Sequence, residues 1–268
     1  MPKQRLDQRL HELGLTESRE QARRLIMAGE VVVNGQMVDR PATNVPDDAK
    51  IEIKAKPRFV SRGGEKLDAA LERFQINVAG LVCADVGAST GGFTDCLLQR
   101  GAAHVYAIDV GHGVLDQRLR NDPRVVVLED TNARFLEHLP ELVQLVSIDA
   151  SFISLKLLLP IVKNWLSSVV GHPSSVMALI KPQFEAGRKD VGKGGVVKDP
   201  NVHRRVLMEV LTFAIEQRLN VKGLIPSPLR GPKGNVEFLV WLGSGGVSLD
   251  ILQIVEVALD EGRKTKDE

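Results

Sequence analysis

The pattern of apolar positions divides this chain near residue 60. Before that point, RLDQRLHELGL sets Leu6, Leu10 and Leu13 on one helical face, with Gly14 as C-cap. TESREQARRLIMAGE predicts a second helix with Thr16 as N-cap and Glu20 in its first turn. That helix buries Ala22, Leu25 and Ile26 and leaves Arg19, Arg23 and Arg24 on or beside the opposite face. VVVNGQMV reads as strand, Asn34-Gly35 hairpin turn and strand, and KIEIK as a last short strand after the turn-like Pro46-Asp47-Asp48. A small α+β domain is therefore expected over 1–56. The linker is placed at 57–62, and AKPRFV (55–60), which leads into it, is short and holds one proline, making a constrained joint. A larger domain follows over 63–268.

From residue 80 short β-rich runs alternate with amphipathic stretches. The candidate strands are LVCADV (81–86), HVYAID (104–109), VVVLED (125–130), LVSID (145–149), SVMALIK (175–181), VKGLIP (221–226) and VEFLVWL (236–242). Helical candidates FTDCLLQR, SLKLLLPIVKNWL and PNVHRRVLMEVLTFAIEQR fall between them. This alternation predicts an α/β fold with a doubly wound, mostly parallel seven-stranded sheet. The last two strands have only a loop between them and should form an antiparallel pair at one end. The amphipathic SLDILQIVEVALDEGRK suits a lid on the sheet or a subunit contact; monomer and weak dimer both stay open.

Composition narrows the classes. The 268 residues are 43% hydrophobic and 26% charged, with net charge +1, so any nucleic-acid-binding surface must be local. Residues 1–60 carry 11 Lys and Arg against 9 Asp and Glu, a weak excess. Cys83 and Cys96 form no CxxC, so neither a disulfide framework nor a metal is expected. The polar start and the lack of an apolar run of roughly 18–20 residues argue for a cytoplasmic protein with no membrane partner.

Candidate chemistry sits at strand ends. Asp85, Asp109, Asp130, Asp149 and Lys181 each close a buried-looking run. Any one could cap a helix or hold a turn, but in a parallel sheet all five would line the edge where ligands bind. The loop ADVGASTGGFTD spaces its glycines as G-x-x-x-G-G (Gly87, Gly91, Gly92), which is neither the dinucleotide fingerprint nor a P-loop. Asp109, about twenty residues on, could accept both hydroxyls of a ribose. A nicotinamide dehydrogenase shares this logic, but the spacing differs and no hydride-transfer histidine stands out.

Three resemblances extend this reading. RLDQRLHELGL, SREQARRLI, GEVVVNG and V-x-x-P-A-T-x-V resemble the RNA-binding module of ribosomal protein S-four, over residues 4–53. The likeness implies that Arg5, Arg19, Arg23 and Arg24 meet folded RNA, and guanidinium forks suit phosphate oxygens. ADVGASTGGFTD resembles the cofactor loop of S-adenosyl-L-methionine-dependent methyltransferases. By that likeness Asp85, Gly87, Ala88, Ser89, Gly91, Gly92 and Phe93 hold the methionine end, Asp109 the ribose, and Asp130, Thr131 and Asn132 face the adenine. Four ordered motifs, SRGGEKL (Lys66), SIDASFISL (Asp149), LIKPQFE (Lys181) and GNVEFLVW (Glu237), resemble the Lys-Asp-Lys-Glu tetrad of FtsJ-related ribose 2′-O-methyltransferases.

Together, over roughly residues 4–245, the chain resembles the TlyA family, some of whose members carry the historical name haemolysin. The resemblance implies methylation of a cytidine 2′-hydroxyl in large-subunit ribosomal RNA, with a second site in the small subunit, the subunits being the partners. Lys66, Asp149, Lys181 and Glu237 would be catalytic. A ribose hydroxyl is a weak nucleophile, so the site must align it and help it lose its proton. Two neighbouring lysines can depress one another's basicity and steady the developing alkoxide, with the two acids positioning them. Lys181 is expected to be either the base or the closest contact to the reacting hydroxyl, with Lys66, Asp149 and Glu237 as its partners.

Phe152 and Phe184 could stack on the target base or simply pack. Arg62 and Arg188 are further RNA candidates, and EAGRKDVGKGGVVKD is expected to be mobile until RNA binds. Gly63 and Gly64 are expected to turn the chain sharply into the catalytic domain, so that the hinge and the Lys66 site are one stretch. Two other classes remain open: an RNA-binding protein with an inactive methyltransferase domain, and a membrane-active haemolysin.

Overall fold

In the computed structural model the described residues are 3–27, 29–53, 57–167, 174–231 and 233–264. Lys54 of the expected strand KIEIK and Ala55 and Lys56 of AKPRFV lie outside them. The chain divides into two compact units, Met1–Arg58 and Phe59–Glu268.

In the first unit β1 (Lys3–Arg5) leads into α1 (Leu6–Glu12), followed by α2 (Arg19–Met27), β2 (Val31–Val33), β3 (Gln36–Met37), β4 (Asn44–Pro46) and β5 (Ile51–Ile53). β1 pairs antiparallel with β4, and β3-β2-β5 form a three-stranded sheet. Leu6, Leu10, Ala22, Ile26, Val31 and Val45 make its core. Asn34 and Gly35 both have positive φ (49° and 80°), as the twist of a two-residue hairpin requires. Two details differ from the sequence reading. Leu13 is exposed, because α1 stops at Glu12 and Gly14, at φ +69°, turns the chain away. Ser18, not Thr16, caps α2: its Oγ accepts the Gln21 N–H at 3.2 Å.

The second unit runs α3 (Gly63–Arg73), β6 (Val82–Val86), α4 (Gly92–Gln99), β7 (His104–Ile108), α5 (Gln117–Arg120), β8 (Val125–Leu128), β9 (Leu145–Ile148), α6 (Leu155–Val162), β10 (Ser175–Ile180), α7 (Pro182–Glu185), α8 (Pro200–Glu216), β11 (Asn220–Pro226), β12 (Phe238–Gly243) and α9 (Ile251–Lys264). The seven-stranded sheet has the order β11-β12-β10-β9-β6-β7-β8. Only β12 is reversed; it is antiparallel to both β10 and β11. Side chains alternate across the sheet as the period of two demands. Val176, Ala178 and Ile180 enter a core with α6, α8 and α9, whereas Met177 and Leu179 enter another with α3 and α4. α9 covers the sheet through Val255, Ala258 and Leu259. No helix among the described residues is long and apolar enough to cross a membrane.

Phe59 is buried in the second unit's core. Gly63 and Gly64 are helical and make no sharp turn; a Cβ on Gly64 would collide with the Phe59 ring. Their use is close approach: a Cβ on Gly92 would come within 2.8 Å of the Gly64 nitrogen. SRGG is thereby packed against the glycine loop before α4.

Candidate active site

Lys66 lies near the N-terminus of α3, where the helix dipole disfavours a cation, and it is buried. A carboxylate compensates it: Lys66 Nζ donates to Glu237 Oε2 at 2.6 Å. Glu237 stands just before β12 and is 2% exposed; Gln183 Nε2 donates to its other oxygen at 3.2 Å. Lys181 follows β10 directly, and Asp149 follows the adjacent β9. Their ion pair measures 2.6 Å, and Lys181 Nζ also donates to Ser151 Oγ at 2.9 Å. Each ammonium thus has its own acid, which offsets the cost of taking both charges out of water.

All four residues, with Ser61, Arg62 and Arg230, line one cavity of about 510 Å³. A second cavity of about 600 Å³ is bounded by Asp109, Thr131, Asn132, Arg134, Ile153 and Leu158 among others. Gly87, Ser89, Asp149 and Ser151 form walls of both.

The second cavity fits a nucleoside. Asp109 accepts the backbone N–H groups of Ser89 (2.8 Å) and Gly111 (2.7 Å), which fix its carboxylate and leave lone pairs for vicinal hydroxyls. Gly87 (φ +82°) brings the loop against the chain after β9: a Cβ there would sit 2.8 Å from the Asp149 carbonyl oxygen. Ala88, Gly92 and Phe93 line the tetrad cavity.

Three residues assigned to the cofactor line neither cavity. Asp85 is wholly buried, because its position in β6 points it beneath the loop; it accepts from Thr94 Oγ1 (2.7 Å) and Ser147 Oγ (2.9 Å). Burial pushes its carboxyl up to about 7, against the pull of those hydrogen bonds. Asp130 lies beyond the end of β8 at φ +51° and turns outward to His112 Nδ1 at 2.8 Å. Gly91 (φ +96°) backs onto Leu119, which a Cβ would strike.

On the candidate RNA side, Phe152 is 90% exposed and is no packing residue. Its ring lies 4.9 Å from that of Phe184, tilted by 48°. Arg188 stands outside both cavities on the exposed turn Arg188–Asp190. The segment expected to be mobile is held by buried Asn235, whose side chain accepts from Val197 N (3.0 Å) and donates to Gly195 O (2.9 Å). In the first unit, Arg5 (two bonds, each 3.0 Å), Arg19 (3.2 Å) and Arg23 (3.3 Å) converge on buried Asp7. The Arg5 contact above all holds the Asp7 carboxyl below its ordinary range. Arg24 is exposed.

Sequence reasoning missed Ser151, Gln183, Arg230 and Asn235. Ser151 and Gln183 lie inside the quoted motifs, two residues after Asp149 and Lys181, and that proximity was the available signal. Asn235 likewise lies inside GNVEFLVW, two residues before Glu237, whereas Arg230 lies outside every quoted motif.

The FtsJ-like methyltransferase family matches residues 59–244, and the S4 domain matches residues 4–51. The chain is 49% identical to the 16S/23S rRNA (cytidine-2′-O)-methyltransferase TlyA of Mycobacterium tuberculosis, over 89% of each chain. It is 44% identical to Hemolysin A of Brachyspira hyodysenteriae, over 88% of this chain and 98% of that one. A solved structure from Streptococcus thermophilus is 43% identical, covers 100% of both chains and superposes with a TM-score of 0.73. One from Listeria monocytogenes, 15% identical over 69% of this chain and 100% of that one, shares the fold at a TM-score of 0.52. The chain belongs to the FtsJ-like methyltransferase family, as a TlyA-type member that begins with an S4 domain.

Proposed function

We propose that this protein transfers a methyl group from S-adenosyl-L-methionine to a cytidine 2′-hydroxyl of ribosomal RNA, in the large subunit and at a second site in the small, within the cytoplasm. The observation that carries the reading is the pair of lysine–carboxylate contacts in one cavity that shares a wall with the nucleoside-shaped one. The names of the relatives support cytidine and both RNAs. When bound, the cofactor supplies an electrophilic methyl carbon on a sulfonium. Asp109 holds the ribose hydroxyls, Thr131 and Asn132 border the adenine, and Gly87 to Ser89 pass beside the methionine end. Lys181 faces the 2′-oxygen and stabilises the charge that develops on it as the hydroxyl proton passes to water. Asp149 orients Lys181; Glu237 and Lys66 line the same cavity. Arg5, Arg19, Arg23 and Arg24 on the first unit, with Arg62 and Arg188 on the second, meet RNA phosphates, and Phe152 with Phe184 takes the target base.

The test uses ribosomal subunits from cells lacking the protein, incubated with enzyme and S-adenosylmethionine. New 2′-O-methylcytidine, mapped by mass spectrometry, is expected with the native enzyme and not with Lys181→Ala or Asp149→Ala proteins that still fold. Near-native methylation by both variants would remove the assignment.

A further inference from the structure

The loop between β9 and α6 is held from two sides. On one side Lys181 contacts Asp149 and Ser151. On the other, Glu185 accepts from Ser154 Oγ (2.6 Å) and Leu155 N (2.7 Å). Between them Phe152 stands at φ +63°, a conformation bulky residues rarely adopt. That turn sends Phe152 out to solvent and leaves Ser151 facing Lys181.

The Lys181 ammonium has three N–H donors. Asp149 Oδ1 lies 2.6 Å away as an ion-pair contact without hydrogen-bond geometry, and the Asp149 carbonyl oxygen accepts a long bond of 3.4 Å. Both belong to one residue, so alone they let the ammonium swing about that residue. Beside the Phe184 ring, whose centroid lies 5.8 Å from the ammonium, Ser151 Oγ at 2.9 Å is the hydrogen-bond acceptor from a second residue. Ser151 is also exposed and forms a wall of both cavities. It therefore stands where an oxygen bound on the tetrad side has to meet a carbon bound on the other.

We propose that Ser151 is a positioning residue for methyl transfer that acts through Lys181: its hydroxyl holds the ammonium at the boundary of the two cavities. No bond or proton passes to Ser151. Its contribution is the direction of a neighbouring donor, and misdirection of such a group lowers turnover more than binding. The inference rests on the 2′-O-methyltransferase reading above.

The test compares full-length native protein with Ser151→Ala, Ser151→Cys and Ser151→Thr, using ribosomal subunits and S-adenosylmethionine. For the Ala variant kcat is expected to fall roughly tenfold, while KM for subunits and the calorimetric Kd for cofactor stay within about twofold. Cysteine keeps the size but accepts hydrogen bonds weakly, so it should follow alanine; threonine keeps the hydroxyl and should recover most of kcat. Native kcat in the Ala and Cys variants, a loss in KM alone, or a threonine variant as slow as alanine would each overturn the proposal. Absence of methyl transfer by the native protein itself would overturn the parent reading, and this one with it.

Discussion

Lys66 Nζ and Glu237 Oε2 lie 2.6 Å apart although 171 residues separate them in sequence. Both side chains are almost wholly buried, at 11% and 1% exposure. Removing one partner strands a charge in the interior. Lys66→Met or Glu237→Leu alone is expected to cost about 3–5 kcal/mol, and the double substitution to regain most of it. All three proteins should transfer methyl at under about a hundredth of the native rate. Chemical denaturation of the three variants, read beside radiolabelled methyl transfer, checks both halves; equal stability of single and double variants would contradict the pairing.

Asp85 makes stability depend on pH. Its folded-state carboxyl is pushed up from 3.8 to about 7, chiefly by burial. Below pH 4 folded and unfolded chains both keep the proton, and the group contributes no pH dependence. Between about 4 and 7 the unfolded chain has lost it and the folded chain still holds it, so stability falls as pH rises, and the loss is complete above about 7. Glu185 is also raised, mainly by burial, and adds the same sign. Substituting Asp85 by Asn isolates its share. The melting temperature of Asp85→Asn minus that of the native protein should grow from pH 4 to 7 and then level off; a flat difference would refute the buried-proton account.

The cluster on Asp7 separates preorganisation from bulk charge. Asp7→Asn makes the first unit more positive by one charge, which by electrostatics alone should tighten RNA binding. It also removes the acceptor that aligns Arg5, Arg19 and Arg23. Weaker binding to ribosomal RNA at fixed salt is expected, with the shallower salt dependence of lost phosphate contacts. Tighter binding by the Asn variant would show that alignment does not matter here.

Phe152 offers a case in which function and stability should part. At 90% exposure it contributes little to the core, so Phe152→Ala should melt within about 1 °C of the native protein. If its ring stacks on the target base, loss of about 1–3 kcal/mol raises KM for the RNA substrate roughly 5- to 150-fold. An unchanged KM would exclude stacking of Phe152 on the target base.

Local pattern was enough to read the strands of the large sheet and its longer helices, but not the short elements β1, β4, α5 and α7. Short β-rich runs predict all seven strands of the large sheet within two residues at either end, because a strand buried on both faces reads as a near-continuous apolar run. Motif order likewise brought Lys66, Asp149, Lys181 and Glu237 into one set before any distance was known. Other features depend on contacts between residues far apart in sequence. Nothing local indicates that β12 would insert between β10 and β11, that Lys66 would pair with Glu237 and Lys181 with Asp149, or that Asp85 would lie buried beneath the glycine loop. A strand-end aspartate reads the same in sequence whether it faces ligand, solvent or core. The pleat and its neighbours decide the direction, and direction decides whether the group binds, pairs or is held neutral. Gly63 and Gly64 make the same point: in sequence they suggested a turn, but in the fold they are helical residues kept small because Phe59 and Gly92 press against them.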